Sequence, residues 1–118
     1  PEFQLSAIAF GDSLLNENQD VGRRFMVAYL KAIKQLNEGK TERNLEIMAK
    51  YTDLDRSLLE AVCWPPIPPD GGLNMESILA FQQWALEEGL LEQLVPVEKF
   101  WEPRFLVAAQ QILQTTTE

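Results

Sequence analysis

One apolar run near the start of the chain limits the fold more than any other feature, because it has the pattern of a β-strand. In the segment from Phe3 to Phe10, Leu5 and Ala7 lie on one parity and Ile8 and Phe10 on the other, which is typical of a strand covered on both faces. The rest of the chain contains no second convincing strand. Each backbone group buried without a partner costs about 1–3 kcal/mol. We therefore expect an upstream part of the same polypeptide, or another copy of the chain, to pair with this strand, and we expect the chain alone to be a poorly behaved monomer.

The remaining sequence has helical periodicity. It predicts five helices, over about residues 19–38, 41–50, 55–62, 74–88 and 103–114. The first is the strongest, with Gly39 placed to end it, and its predicted buried stripe consists of Val21, Phe25, Ala28, Tyr29, Ala32, Ile33 and Leu36. Four prolines in residues 65–69 predict an extended crossing between two helices. Thr41 and Asn74 are predicted to cap the helices that follow them.

Composition excludes several classes of function. The chain has 18 acidic and 10 basic residues and a net charge of -8, which argues against a nucleic-acid partner because phosphate binding needs clustered Lys and Arg. It has no histidine and one cysteine. Ser-His-Asp and Cys-His mechanisms are therefore excluded within this chain, and we predict no catalytic residue, no metal site and no cofactor. Cys63 lies in an apolar run and is predicted to be a small buried hydrophobic residue.

A few residues are open to both a functional and a structural interpretation. Trp64 beside the prolines could stack on a ligand, although packing is the commoner role of such a tryptophan. Asp12 and Ser13 could reach a ligand beyond the end of the strand, but a helix cap explains them better. Trp84 and Trp101 are interpreted as packing residues, and Glu87, Glu88 and Glu92 as a solvated helix end that could instead face a membrane permease. No ligand-binding residue is assigned.

The order of several stretches resembles one protein family. The longest is residues 16–32, Asn-Glu-Asn-Gln-Asp-Val-Gly-Arg-Arg-Phe-Met-Val-Ala-Tyr-Leu-Lys-Ala. Further stretches follow in the same order, at residues 49–55, 68–77, 82–84, 88–91 and 101–109. Together they resemble the nitrate/sulfonate/taurine-type substrate-binding proteins of ABC importers and the related thiamine-pyrimidine-precursor group. The similarity extends from Leu5 to Leu113, and Gln19, Arg56 and Glu102 depart from the family pattern.

The resemblance implies an α/β fold of the type II periplasmic-binding-protein class, in which residues 1–118 form a C-terminal segment that is itself mostly helical, with one N-terminal strand. It implies a non-enzymatic protein that captures a small, anionic or heteroaromatic solute and delivers it to an ABC permease. The expected location is periplasmic or membrane-anchored outside the cytoplasm, with the export signal upstream. Two alternatives stay open: a segment of a thiamine-pyrimidine-precursor synthesis enzyme, and an acidic helical protein-interaction domain.

Overall fold

The protein is helical throughout most of the region that its computed structural model describes, residues 3–115. A single π-helical turn, Ser13–Glu17, precedes six α-helices in this region. The helices are α1 (Gln19–Leu36), α2 (Glu42–Thr52), α3 (Arg56–Ala61), α4 (Met75–Glu87), α5 (Val97–Phe100) and α6 (Arg104–Thr115). The five helices predicted from the sequence lie within two residues of α1, α2, α3, α4 and α6 at each end.

The predicted α/β fold class and its N-terminal strand are wrong for the described residues, which contain no β-strand. The segment from Phe3 to Phe10 lacks regular structure because no second extended segment lies beside it to complete a ladder. Side chains anchor it instead. The Gln4 backbone N–H donates to Ser77 Oγ over 2.9 Å, and Gln4 Oε1 accepts from the Asn74 backbone N–H over 2.7 Å. The segment is covered on one side only, since Ile8 packs against the core while Leu5 is 80% exposed.

The main core lies between α1 and α6. Its buried members are Met26, Leu30, Ile33, Phe105, Leu106 and Ala109. The two helices approach closely where Gly22 faces the Phe105 ring, because a Cβ atom on Gly22 would stand only 2.6 Å from Phe105 Cε2. Phe10 closes the other side of that ring in an edge-to-face contact, with 5.3 Å between ring centres. This crossing is the best-packed part of the described chain.

The buried side of α1 matches only part of the stripe predicted from its periodicity, since Ile33 is buried and Tyr29 and Leu36 are partly buried as predicted. Gly22, Met26, Leu30 and Ile33 are buried, whereas Val21, Phe25, Ala28 and Ala32 of the predicted stripe are exposed. At 100° per residue the apolar positions of α1 cover an arc of about 260°, more than twice the width of an ordinary buried stripe. The core against α6 covers only part of that arc. The part that carries Val21, Phe25, Ala28 and Ala32 is exposed.

Helices α2 and α3 form a second small unit, with Leu45 and Leu59 buried between them. Asn44 connects this unit to the end of α1. Its Nδ2 donates to the backbone oxygens of Gln35 and Gly39, both over 2.7 Å, and its Oδ1 accepts from Gln35 Nε2 over 3.1 Å. Asn44 thereby gives a second donor to one carbonyl in the last turn of α1 and to one just beyond it, and Gly39 has a φ of 86°, in the left-handed region that the sequence predicts.

Helix α4 stands apart from the other helices. The extensive helix contacts of the described residues join α1 to α6, α2 to α3, and α1 to the π-helical turn. Helix α4 is instead held by hydrogen bonds from loops: the Gln4 contacts at its start, and a pair between Gln82 and the Val95 backbone. Ala85 is the one buried apolar residue of α4. Its large apolar side chains Leu79, Phe81 and Trp84 are exposed.

Candidate functional site

An open groove of about 660 Å³ lies between the second half of α1, the turn after the prolines, and the end of α6. Both polar and apolar side chains contribute to it. Its lining consists of Leu30, Lys34, Asn37, Pro69, Asp70, Gln110, Leu113 and Gln114. A ligand pocket usually encloses most of its ligand, and this groove faces solvent along its length.

The polar groups of the groove are largely engaged within the chain. Asn37 Nδ2 donates to the backbone oxygen of Ile67 over 2.8 Å, and Gln110 Nε2 donates to the backbone oxygen of Asp70 over 2.8 Å. The Asp70 carboxylate accepts the Gly72 backbone N–H over 2.9 Å. These bonds fasten the proline-rich segment to α1 and α6. The groove is therefore better explained as the seam along which that segment attaches than as a solute site.

The structure separates the residues that the sequence singled out near the prolines and the first turn. Trp64 is half-buried, and its Nε1 donates to the backbone oxygen of Leu59 over 3.0 Å, a packing role. Cys63 beside it is exposed, so the prediction that Cys63 is buried is wrong. The expected cap at Asp12 is absent, because its side chain makes no capping hydrogen bond. Ser13 Oγ accepts from Asn18 Nδ2 over 3.1 Å.

The other two tryptophans have different surroundings. Trp101 is partly buried against the α1–α6 core, as the packing interpretation expects. Trp84 is 48% exposed and lies beside Phe81, which is 62% exposed, with 5.3 Å between the ring centres. Glu87 and Glu88 follow at the end of α4 and are exposed, as is Glu92. Trp84 is therefore a surface aromatic residue next to an acidic helix end.

Two apolar helix faces are left uncovered and form the most distinctive surface of the molecule. The α1 outer face consists of the exposed residues Val21, Phe25, Ala28 and Ala32, and the Phe25 ring contacts Phe10 edge-to-face with 6.1 Å between ring centres. The α4 aromatic face consists of the exposed residues Ala80, Phe81 and Trp84. Sequence reasoning assigned the α1 positions and Trp84 to packing, so it missed these faces as a surface.

The dimensions of the chain show how much surface is uncovered. The radius of gyration is 17.0 Å, whereas a compact domain of this length has about 13.5 Å. The accessible surface is 9012 Å², whereas a folded monomer of this mass exposes about 6,500 Å². The excess of about 2,500 Å² is large for a chain that folds entirely on itself. The exposed residues include large apolar side chains such as Phe81 and Trp84, and contiguous exposed apolar patches mark surfaces that bind other protein.

Among residues 3–115, one group of charges has shifted pKa values, and its role is structural. The Arg56 guanidinium forms a two-pronged ion pair with the Glu42 carboxylate and donates from Nε to Glu60 Oε1 over 2.9 Å. The hydrogen bond from Arg56 lowers the pKa of Glu42, and the two carboxylates raise the pKa of Arg56. This exposed network joins the start of α2 to α3.

No family model, curated protein or solved structure matches this chain at a significant level. The resemblance to solute-binding proteins therefore depends on the quoted stretches alone and stays a prediction. Within residues 3–115, no helix is long and apolar enough to cross a lipid bilayer. The same part of the chain brings no three His, Cys, Asp or Glu side chains together in a way that could hold a metal ion.

Proposed function

We propose that this chain is a helical protein-association segment, which binds another protein surface through the α1 outer face and the α4 aromatic face. The observation that carries the proposal is the accessible surface of 9012 Å², about 2,500 Å² above that of a compact monomer. The exposed surface includes two aromatic side chains on α4, Phe81 and Trp84. Burial of apolar surface supplies most of the free energy of protein association.

The helical architecture supports this proposal over the sequence-based preference for a solute-binding protein. The predicted N-terminal strand spoke against an acidic helical interaction domain, because a strand covered on both faces needs a sheet and a helical domain has none. The described residues have no strand, so that objection no longer holds. The polar groups in the groove already bond within the chain, which leaves the two apolar faces as the stronger candidate for a binding surface.

Substitutions on α1 test whether the outer face is free for association. We expect Val21→Gln with Ala32→Gln to change the free energy of unfolding by less than about 1 kcal/mol, since both side chains are already exposed. Met26→Gln on the buried side of the same helix is the matched control and should cost several kcal/mol, at least about 2. Urea denaturation measures both. A large loss from the outer-face pair would show that this face is covered within the chain and would contradict the proposal.

A part of a solute-binding protein of an ABC importer is the second candidate. The order of the stretches between Leu5 and Leu113 favours it, and in that setting the remainder of the same polypeptide would cover the two faces and form the solute cleft. An antibody raised against this chain tests it in fractionated cells of the source organism. We expect a band well above the 13.5 kDa of this chain in the extracytoplasmic fraction, and purified protein that nitrate, a sulfonate or a pyrimidine stabilises thermally. A cytoplasmic band at 13.5 kDa would rule this candidate out.

A further inference from the structure

We infer that the partner is a second copy of this chain, and that the α1 outer face of one copy docks on the α4 aromatic face of the next. This inference rests on the proposed association function and names the partner. Both faces consist of apolar residues that face solvent on regular helices, which is the geometry of helix-against-helix packing. The association is head-to-tail, because each copy offers two different faces.

A specific protein interface of ordinary size buries about 800 Å² on each partner. The α1 outer face and the α4 aromatic face are smaller than this, so each forms the apolar centre of a contact and the polar residues around it form the rim. The chain exposes about 2,500 Å² more total surface than a compact monomer of its mass.

The charges beside the two faces are opposite in sign. Helix α1 carries four basic side chains and one acidic side chain, and its Arg24 and Lys31 lie one helical turn on either side of Ala28. Residues 75–92 carry four acidic side chains and no basic one, and Glu87 and Glu88 follow Trp84 by three and four positions. Docking α1 on α4 places opposite charges along the rim of the contact.

The same charges disfavour a symmetric dimer. An α1–α1 contact would bring two basic helices together, and an α4–α4 contact would bring two acidic helix ends together. Like charges placed across an interface oppose association. A head-to-tail contact leaves one free face at each end of the assembly. The assembly should therefore grow longer as the protein concentration rises, unless its two ends meet and close a ring.

Sedimentation velocity on the full chain and two double variants tests the inference. Val21→Glu with Ala28→Glu blocks the α1 outer face, and Phe81→Glu with Trp84→Glu blocks the α4 aromatic face. Ile47→Glu with Tyr51→Glu is the matched control, because it places the same charges on exposed apolar residues of α2. We expect the unmodified chain and the control to exceed the monomer mass of 13.5 kDa increasingly with concentration. Each face variant alone should be monomeric, with unchanged helix content by circular dichroism.

Mixing the two face variants gives the sharpest result. Each retains the face that the other lacks, so an equimolar mixture should form a dimer of one copy of each and nothing larger. Salt should weaken this dimer, by about threefold or more in Kd between 0.05 and 0.5 M, because it screens the rim charges. If one variant associates as well as the unmodified chain, or if the mixture stays monomeric, the head-to-tail contact is wrong.

The inference is also wrong if the chain stays monomeric up to about 100 µM, because its self-association would then be weaker than that of an ordinary specific interface. Small-angle X-ray scattering then decides separately about the proposed function. A monomer with a radius of gyration near 17.0 Å keeps its faces open, and the association function stands with a different partner. A monomer with a radius of gyration of about 13.5 Å, the value for a compact domain, has folded the faces inward, and the association function fails as well.

Discussion

Gly22→Ala offers a sharp test of the α1–α6 crossing, because two opposing effects of known size meet there. In a helix interior, alanine is favoured over glycine by about 0.8–1.0 kcal/mol. The new Cβ would stand 2.6 Å from Phe105 Cε2, 2.8 Å from Cζ and 2.9 Å from Cδ2, all well inside ordinary carbon–carbon contact. The ring cannot easily swing away, since Phe105 is 1% exposed and Phe10 closes its other side.

Overpacking of this kind costs about 1–3 kcal/mol, so we expect Gly22→Ala to lower the free energy of unfolding by about 1 kcal/mol net. A second background isolates the clash. Phe105→Leu removes the two ring atoms nearest to the new methyl group. In that background we expect Gly22→Ala to raise stability by up to about 1 kcal/mol, which gives a coupling energy of about 2 kcal/mol.

Urea denaturation followed by circular dichroism, at a protein concentration low enough to avoid association, measures all four proteins of the cycle. Gly11→Ala is the control, because nothing lies within 4 Å of its Cβ position, and it should change stability by less than about 0.5 kcal/mol. If Gly22→Ala changes the free energy of unfolding equally in the unmodified chain and in the Phe105→Leu background, the close approach of α1 and α6 does not exist as described.

Three further predictions concern single side chains. Asn44→Ala should cost about 1–3 kcal/mol in urea denaturation, because the buried Asn44 side chain loses its three hydrogen bonds with Gln35 and Gly39; Asn44→Asp should cost at least as much at pH 7, and a neutral result would contradict the bridge. The pKa of Glu42 is lowered in the folded protein. Its pairing with Arg56 therefore stabilises the fold at pH values above the ordinary pKa of 4.5, and this stabilisation is lost as the pH falls through the pKa of the folded state. The urea midpoints of the unmodified chain and Glu42→Gln should therefore differ more at pH 7 than at pH 3, and an equal difference would refute the pairing. Cys63 is exposed, so a thiol reagent should titrate one thiol in the native chain at a rate within about tenfold of the urea-unfolded chain; strong protection would show that Cys63 is buried after all.

The positions of the helices could be predicted because their signals are local. The side chain of Thr41 accepts the Asn44 backbone N–H at the start of α2, and Asn74 accepts the Ser77 backbone N–H at the start of α4, as their capping residue types predict. Gly39 adopts a positive φ beyond the end of α1. Each of these interactions joins residues at most a few positions apart, so the sequence contains both partners of the contact.

The candidate surface could not be predicted in the same way. Hydrophobic periodicity identifies which positions of a helix are apolar, but it does not say which of them a neighbour will cover. Trp84 is apolar and periodic, as Ala85 is, yet only Ala85 is buried. The pairing of the N-terminal segment raises the same problem, because a strand exists only where a second extended segment lies beside it.

The sequence alone determined that this chain is acidic, lacks histidine and forms helices at particular positions, because composition and helix caps depend on residues close together in the chain. Only the tertiary structure decided which part of the wide apolar arc of α1 is buried. Phe105 lies more than 80 positions beyond Gly22, and the absence of a side chain at Gly22 lets its ring approach that side. The remaining part stays exposed because α6 is a single helix and can cover only one side of its neighbour.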